Sequence, residues 1–307
     1  MKTRVRSLLY IHITILLLAV SGCTDRKQAD IAKHYASAEL PIPVFNIPDF
    51  PEIFGGHDGK TLRMTSCRQI RELEFIALPE TAFRIEDTVK SSKTTIYKVT
   101  TDDYPSKKEL FIDSRFVKSL EKQPPERPRP LPSKQTVIEN LMSAEGSAYV
   151  WGGNLREGIP EMLSFYSPSS DISPELQNRW ILKGADCSGL LYEATNGYTP
   201  RNTDALIAFG EPVQIVGLSI PKIIEKVEPL DLIIWEGHVI IILDKDKVIE
   251  SRLDYDKEKP GCQGGVRTRP LKEVLEETMR YRIPADNNDD AKEGEKIFVI
   301  GRWYPMK

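Results

Sequence analysis

The chain has 307 residues, 40% of them hydrophobic and 28% charged, and a formal net charge of -3. Such a composition supports a packed core and excludes an intrinsically disordered chain, and the length allows about two domains. The weakly acidic balance excludes a nucleic-acid partner held by excess positive charge.

At the amino terminus, Lys2, Arg4 and Arg6 precede an apolar run from Leu8 to Val20 that is too short to span a bilayer comfortably. Residues 1–22 therefore read as a signal peptide. The run ends in Val20-Ser21-Gly22-Cys23, which resembles the bacterial lipobox and implies lipidation of Cys23 and anchoring to a membrane. Thr24 rather than Asp follows the cysteine, and by resemblance to Gram-negative lipoproteins this implies a cell-envelope protein of the outer membrane facing the periplasm. From Thr24 to about Gly56 the chain is polar and then proline-rich, with Pro41, Pro43, Pro48 and Pro51 and no sustained periodicity. Residues 23–57 are expected to form a lipid-anchored tether.

Between residues 58 and 122 short β-rich runs follow one another: Arg71 to Ala77, Thr81 to Ile85, Thr94 to Thr100 and Glu109 to Val117. They predict a small all-β unit. The stretches Ala77-Leu78-Pro79-Glu80-Thr81 and Leu110-Phe111-Ile112-Asp113-Ser114-Arg115-Phe116-Val117 resemble a bacterial SH3-like barrel. Five of the nine residues from Pro124 to Pro132 are proline, so residues 123–132 read as a semi-rigid linker. Ser133 then caps a predicted helix through Met142 and opens a second domain over 133–307. That domain carries a helix starting at Cys187, strands at Val239 to Leu243 and Lys247 to Ser251, a helix from Leu271 to Met279 and a closing strand from Ile297 to Trp303. The pattern is α+β.

The chemistry concentrates in the second domain. In Asp186-Cys187-Ser188-Gly189 an acidic cap residue precedes a cysteine in the first turn of a helix that ends before Gly197, and a helix amino terminus favours negative charge. Of the three histidines beyond residue 22, His34 and His57 lie in the tether or at the edge of the β unit, which leaves His238 as base and acid for Cys187. If the strand Lys247 to Ser251 folds back symmetrically about Asp244, His238 faces Glu250, whose carboxylate then orients the ring. Cys67 and Cys262 either pair in an oxidising compartment or stay as small buried hydrophobes. No cysteine spacing suits zinc, and neither a metal nor a cofactor is expected.

With these residues stated, the chain from about 145 to 305 resembles the NlpC/P60 family of cell-wall endopeptidases, papain-like thiol hydrolases. Tyr149-Val150-Trp151-Gly152-Gly153 is similar to the family's tyrosine and glycine box, Asp186-Cys187-Ser188-Gly189 to its nucleophile motif, and Pro200-Arg201-Asn202-Thr203 to the segment after the first helix. Pro229-Leu230-Asp231-Leu232 and His238 resemble the strand leading to the base. The resemblance implies a papain-like catalytic domain preceded by the SH3-like barrel, acting on peptidoglycan stem peptides or muropeptides at the γ-D-glutamyl–diamino acid bond. It implies that Tyr149 helps form the oxyanion site with the Cys187 backbone N–H, and that Asp186 and Ser188 contact substrate. Two residues depart from the family pattern: Glu250 stands where many relatives have histidine, and Asn202 where many have Asp. An insertion, roughly Asn154 to Lys183, separates glycine box and nucleophile and forms either part of the cleft rim or a surface excursion. Other readings of the same residues are a non-catalytic wall-binding lipoprotein and a thiol amidase cutting a different peptidoglycan bond.

Overall fold

A computed structural model describes residues 34–91, 94–255 and 262–305. The expected signal peptide, Cys23 and the first part of the expected tether lie outside the described residues.

Seven strands form an amino-terminal antiparallel sheet: β1 (His34–Ala38), β2 (Ile42–Phe45), β3 (Leu73–Ala77), β4 (Ala82–Lys90), β5 (Thr95–Thr100), β6 (Leu110–Asp113) and β7 (Val117–Leu120), ordered β3-β2-β6-β5-β4-β1-β7. Two corrections to the sequence reading follow. Residues 34–45 are not tether: β1 pairs with both β4 and β7, and β2 with β3, because Ile42, Val44 and Phe45 are fully buried apolar residues. Pro43 is tolerated there because the pairing of β2 with β6 reaches only Phe45, so no ladder partner is lost at the proline. The sheet also ends at β3 on one side and β7 on the other, instead of closing into the expected SH3-like barrel.

The insertion after the glycine box joins this sheet's core. Met162, Tyr166 and Trp180 are all fully buried and pack with Phe45, Phe50 and Phe54. Their polar atoms are satisfied, since Trp180 Nε1 donates to the Tyr166 carbonyl at 2.8 Å and the Tyr166 hydroxyl to Asp113 Oδ2 at 2.5 Å. Part of the insertion is therefore a wedge of core, while residues 167–179 run over the surface.

Ser133 caps α1 (Lys134–Ser143) by accepting from the Thr136 N–H at 3.1 Å, as the sequence predicts. α2 (Cys187–Ala194) packs with α1 on one face of a carboxy-terminal sheet. Its strands are β8 (Glu211–Pro212), β9 (Leu232–Trp235), β10 (His238–Ile242), β11 (Lys247–Tyr255), β12 (Cys262–Pro270) and β13 (Ile297–Arg302), in the order β8-β13-β9-β10-β11-β12. Period-two alternation sends Leu232, Ile234, Val239, Ile241 and Ile249 toward α2. The intervening Ile233, Ile240, Ile242 and Val248 meet Leu271, Val274 and Leu275 of α3 (Leu271–Tyr281) on the other face. Burial on both faces accounts for the continuous apolar runs. The described residues form one compact unit. Arg127 of the proline-rich stretch is buried and donates to the Asn196 and Gly197 carbonyls just past the end of α2. The linker is thus fastened to the fold. Among the described residues, no helix is long and apolar enough to cross a membrane.

Candidate active site

Cys187 begins α2 and is 7% exposed. The helix can sit this deep because Gly189 has no side chain: a Cβ there would stand 2.0 Å from the Gly153 carbonyl oxygen. Gly152, at φ +69° and with the Leu73 carbonyl 2.4 Å from where its Cβ would be, presses the glycine box against β3 in the same way.

A two-residue turn, Glu236-Gly237, joins β9 to β10 and pairs Trp235 with His238. It sets the Gly237 carbonyl 3.9 Å from Cys187 Sγ and starts β10 on His238. The His238 Nε2 atom is 2.9 Å from Glu250 Oε2, which leaves Nδ1 as the ring nitrogen available to Cys187. Desolvation alone would lower the imidazole pKa, but hydrogen bonding and charge from Cys187 and Glu250 prevail and hold it up to about 9. Glu250 is fully buried; burial opposes its charge, yet His238 and Arg269 keep its carboxyl well below the ordinary range. Arg269 donates to Glu250 Oε1 at 3.1 Å and to Glu277 Oε2 at 2.5 Å, and Arg252 reaches Glu277 Oε1 at 2.9 Å. The orienting carboxylate is thus itself oriented by an arginine fixed on α3.

Asp186 and Ser188, expected to contact substrate, are engaged within the protein. Asp186 Oδ1 caps α2 by accepting from the Gly189 N–H at 2.7 Å, and Oδ2 accepts from the Gly152 N–H at 3.0 Å. Arg201, 4% exposed, clasps both oxygens at 3.0 and 2.8 Å. It also donates to Ser188 Oγ at 2.9 Å, the Gly153 carbonyl at 3.0 Å and Asn154 Oδ1 at 2.9 Å. All five of its N–H donors are used, and a buried guanidinium with every donor satisfied is a strong local organiser. Asn154 extends the clasp by bonding both the N–H and the carbonyl of Ile76 on β3 at 2.9 Å each. Asn202 caps a short helix by accepting from the Ala205 N–H at 2.9 Å.

Tyr149 is partly buried; burial, with the negative charges of Asp186 and Cys187, drives its pKa upward and keeps the phenol a proton donor. The neighbouring Trp151 N–H donates to the Gln69 side-chain oxygen at 2.8 Å. Cys67 and Cys262 are joined as a disulfide with Cα atoms 4.7 Å apart, tying the 65–71 loop to β12. Cys187 is the free cysteine among the described residues. Arg201, Asn154 and Arg269 had no assigned role in the sequence; the only signal was that Arg201 lies in a segment already singled out as a motif.

No family model matches the chain, and no curated protein matches it in sequence. Among solved structures it is similar to an NlpC/P60 family protein from Bacillus cereus, at 13% identity and a TM-score of 0.32, over 89% of this chain and 64% of the other. It is similar to RipD of Mycobacterium tuberculosis, a non-catalytic NlpC/p60 domain protein adapted to peptidoglycan binding, at 16% identity and a TM-score of 0.30, over 55% and 95% of the two chains. It is also similar to NlpC2 of Trichomonas vaginalis, at 11% identity and a TM-score of 0.29, over 89% and 73%. The chain spans just under two thirds of the first of these structures.

Proposed function

We propose that this protein is a cysteine peptidase that hydrolyses the γ-D-glutamyl–diamino acid bond of peptidoglycan stem peptides, with Cys187, His238 and Glu250 as its triad. The observation that carries the reading is the 2.9 Å contact between His238 Nε2 and the fully buried Glu250, which turns the other ring nitrogen toward a cysteine at a helix head.

In this reading the Cys187 thiolate attacks the γ-carbonyl carbon, and the carbonyl π-electrons move onto oxygen. The Cys187 backbone N–H and the Tyr149 phenol donate to that oxyanion. The His238 imidazolium then protonates the leaving amine as the C–N bond breaks, giving a thioester. His238, now neutral, takes a proton from water as it attacks the thioester, and the thiolate departs with His238 protonated again. Glu250 holds the ring and stabilises its charge throughout. Asp186 and Ser188 support the site through Arg201, and any contact they make with substrate comes from the small part of Asp186 still accessible.

Export and anchoring through Cys23 belong to the same proposal, with the outer membrane facing the periplasm as the location. The Cys67–Cys262 disulfide supports an oxidising compartment. Digestion of defined muropeptides followed by mass analysis tests the reading. Wild-type protein should release fragments cut at the γ-D-glutamyl bond, and Cys187→Ala or His238→Ala should abolish release while folding survives. Full activity in either variant would overturn it. Cleavage at another peptidoglycan bond would make the protein a thiol amidase, and binding without cleavage a wall-binding module.

A further inference from the structure

We propose that Arg71 recognises the free α-carboxylate of the glutamyl residue whose γ-carbonyl is attacked, so that the site selects acidic over α-amidated stem peptides. This rests on the peptidase reading above. A glutamate linked through its γ-carboxyl keeps its α-carboxylate ionised, a few carbons from the scissile bond, and a site that cuts there gains from a cation placed to meet it.

The arginines around the triad differ in what they have free. Arg201 spends all five donors inside the protein. Arg252 and Arg269 engage Glu277, and Arg267 engages Asp254. Arg71 has neither a hydrogen bond nor a carboxylate ion pair among the described residues. It is exposed, and its guanidinium carbon lies 3.2 Å from the centroid of the Trp151 ring. A guanidinium stacked on an indole keeps its N–H edge outward, in the plane where a carboxylate binds bidentately.

Its position bears on the nucleophile. Its guanidinium lies on the Trp151 ring, and the next residue, Gly152, donates its N–H to Asp186 Oδ2 at 3.0 Å. Asp186, the acid directly before Cys187 in the chain, is already clasped by Arg201. The loop bearing Arg71 is held before any ligand arrives: Cys67 is bonded to Cys262, and Gln69 donates to the Cys67 carbonyl at 3.1 Å while accepting from the Trp151 N–H. Such preorganisation lowers the entropic cost of fixing a long side chain on its ligand.

The test uses two synthetic stem peptides that differ only in carrying an α-carboxylate or an α-carboxamide on the D-glutamyl residue, with the full disulfide-bonded chain as enzyme. Wild-type kcat/KM should favour the carboxylate by roughly tenfold or more, as expected for a charge-assisted bidentate contact. Arg71→Gln should lower kcat/KM on the carboxylate peptide, leave the carboxamide peptide unchanged and bring the ratio near unity, and Arg71→Lys should retain part of the preference. Equal losses on both peptides, the mark of a merely structural stacking role, would overturn the assignment, as would an unchanged ratio. Failure of the wild type to cut either peptide would overturn the assignment together with the peptidase reading. Cleavage of both peptides with a ratio indifferent to Arg71→Gln would overturn the assignment alone.

Discussion

Glu250 reaches His238 diagonally across the sheet. The ladder pairs Ile241 with Ile249 and Ile242 with Val248, so His238 and Glu250 stand two residues away from direct opposition, yet Nε2 and Oε2 are 2.9 Å apart. A two-residue offset keeps both side chains on one face, and the imidazole and carboxylate span the diagonal.

Replacing Glu250 with Gln should remove the charge that stabilises imidazolium while preserving shape, and lower kcat by about 100-fold, within the range of positioned acid–base groups. The pH dependence has a definite sign. His238 is raised from 6.5 to about 9, so its contribution to stability is complete below pH 6.5 and is lost as the pH rises through about 9. Glu250 is depressed below 4.5, so its contribution is present above that value and is lost in acid. Urea midpoints measured from pH 5 to 10 should fall on the alkaline side in wild type, and the fall should be shallower in Glu250→Gln. A midpoint insensitive to pH in both proteins would contradict the pairing.

Arg201→Met should be among the most damaging single changes. It takes the guanidinium from both Asp186 oxygens, with part of their hydrogen bonding, beneath α2. Breaking a buried pair by removing one partner costs about 3–5 kcal/mol. Arg201→Lys should recover only part of this, because an ammonium cannot serve the acceptors on Asp186, Ser188, Gly153 and Asn154 together. Denaturant unfolding of the three proteins decides the order.

Helix propensity alone predicts that Gly189→Ala stabilises α2 by about 1 kcal/mol. The Gly153 carbonyl, 2.0 Å from the new Cβ, predicts the reverse, since backbone on both sides would have to move. Net destabilisation of about 3 kcal/mol is expected, at the upper end for overpacking. A thermal melt that rises instead would show that the α2 and glycine-box segments separate easily.

The disulfide closes a separation of 195 residues between the loop beside Trp151 and β12. Double replacement of Cys67 and Cys262 by Ser should cost about 2–4 kcal/mol in stability. Thiol titration of denatured wild-type protein should rise by two on reduction, and that of the double variant should not change.

Much of the site was legible because its chemistry is written in rare residues at helix and strand boundaries: one cysteine after an acidic cap, one histidine before an aliphatic run, and Glu250 on the returning strand. The symmetric register assumed for that return was wrong by two residues, but the face was right, since side chains alternate with period two. The Arg201 clasp was not legible, because its partners Gly153, Asn154, Asp186 and Ser188 meet it only in the folded chain. Two of the strands that escaped, β2 and β12, did so for local reasons. β2 carries Pro43, which reads as tether unless the extent of its ladder is known. β12 carries Gly264 and Gly265, which read as a loop; the backbones of Arg252 and Ser147 come within 2.1 and 2.3 Å of the Cβ positions and demand glycine.

Trp180 belongs in sequence to the carboxy-terminal half and in space to the other. A truncation begun at the proline-rich stretch would leave its indole and the Tyr166 ring facing water, and would leave a void among Phe45, Phe50 and Phe54 in the fragment removed. Neither piece would own a finished surface. The amino-terminal sheet is therefore not a detachable accessory to the carboxy-terminal half, and expression, unfolding and exchange with other proteins should treat the two as a single object.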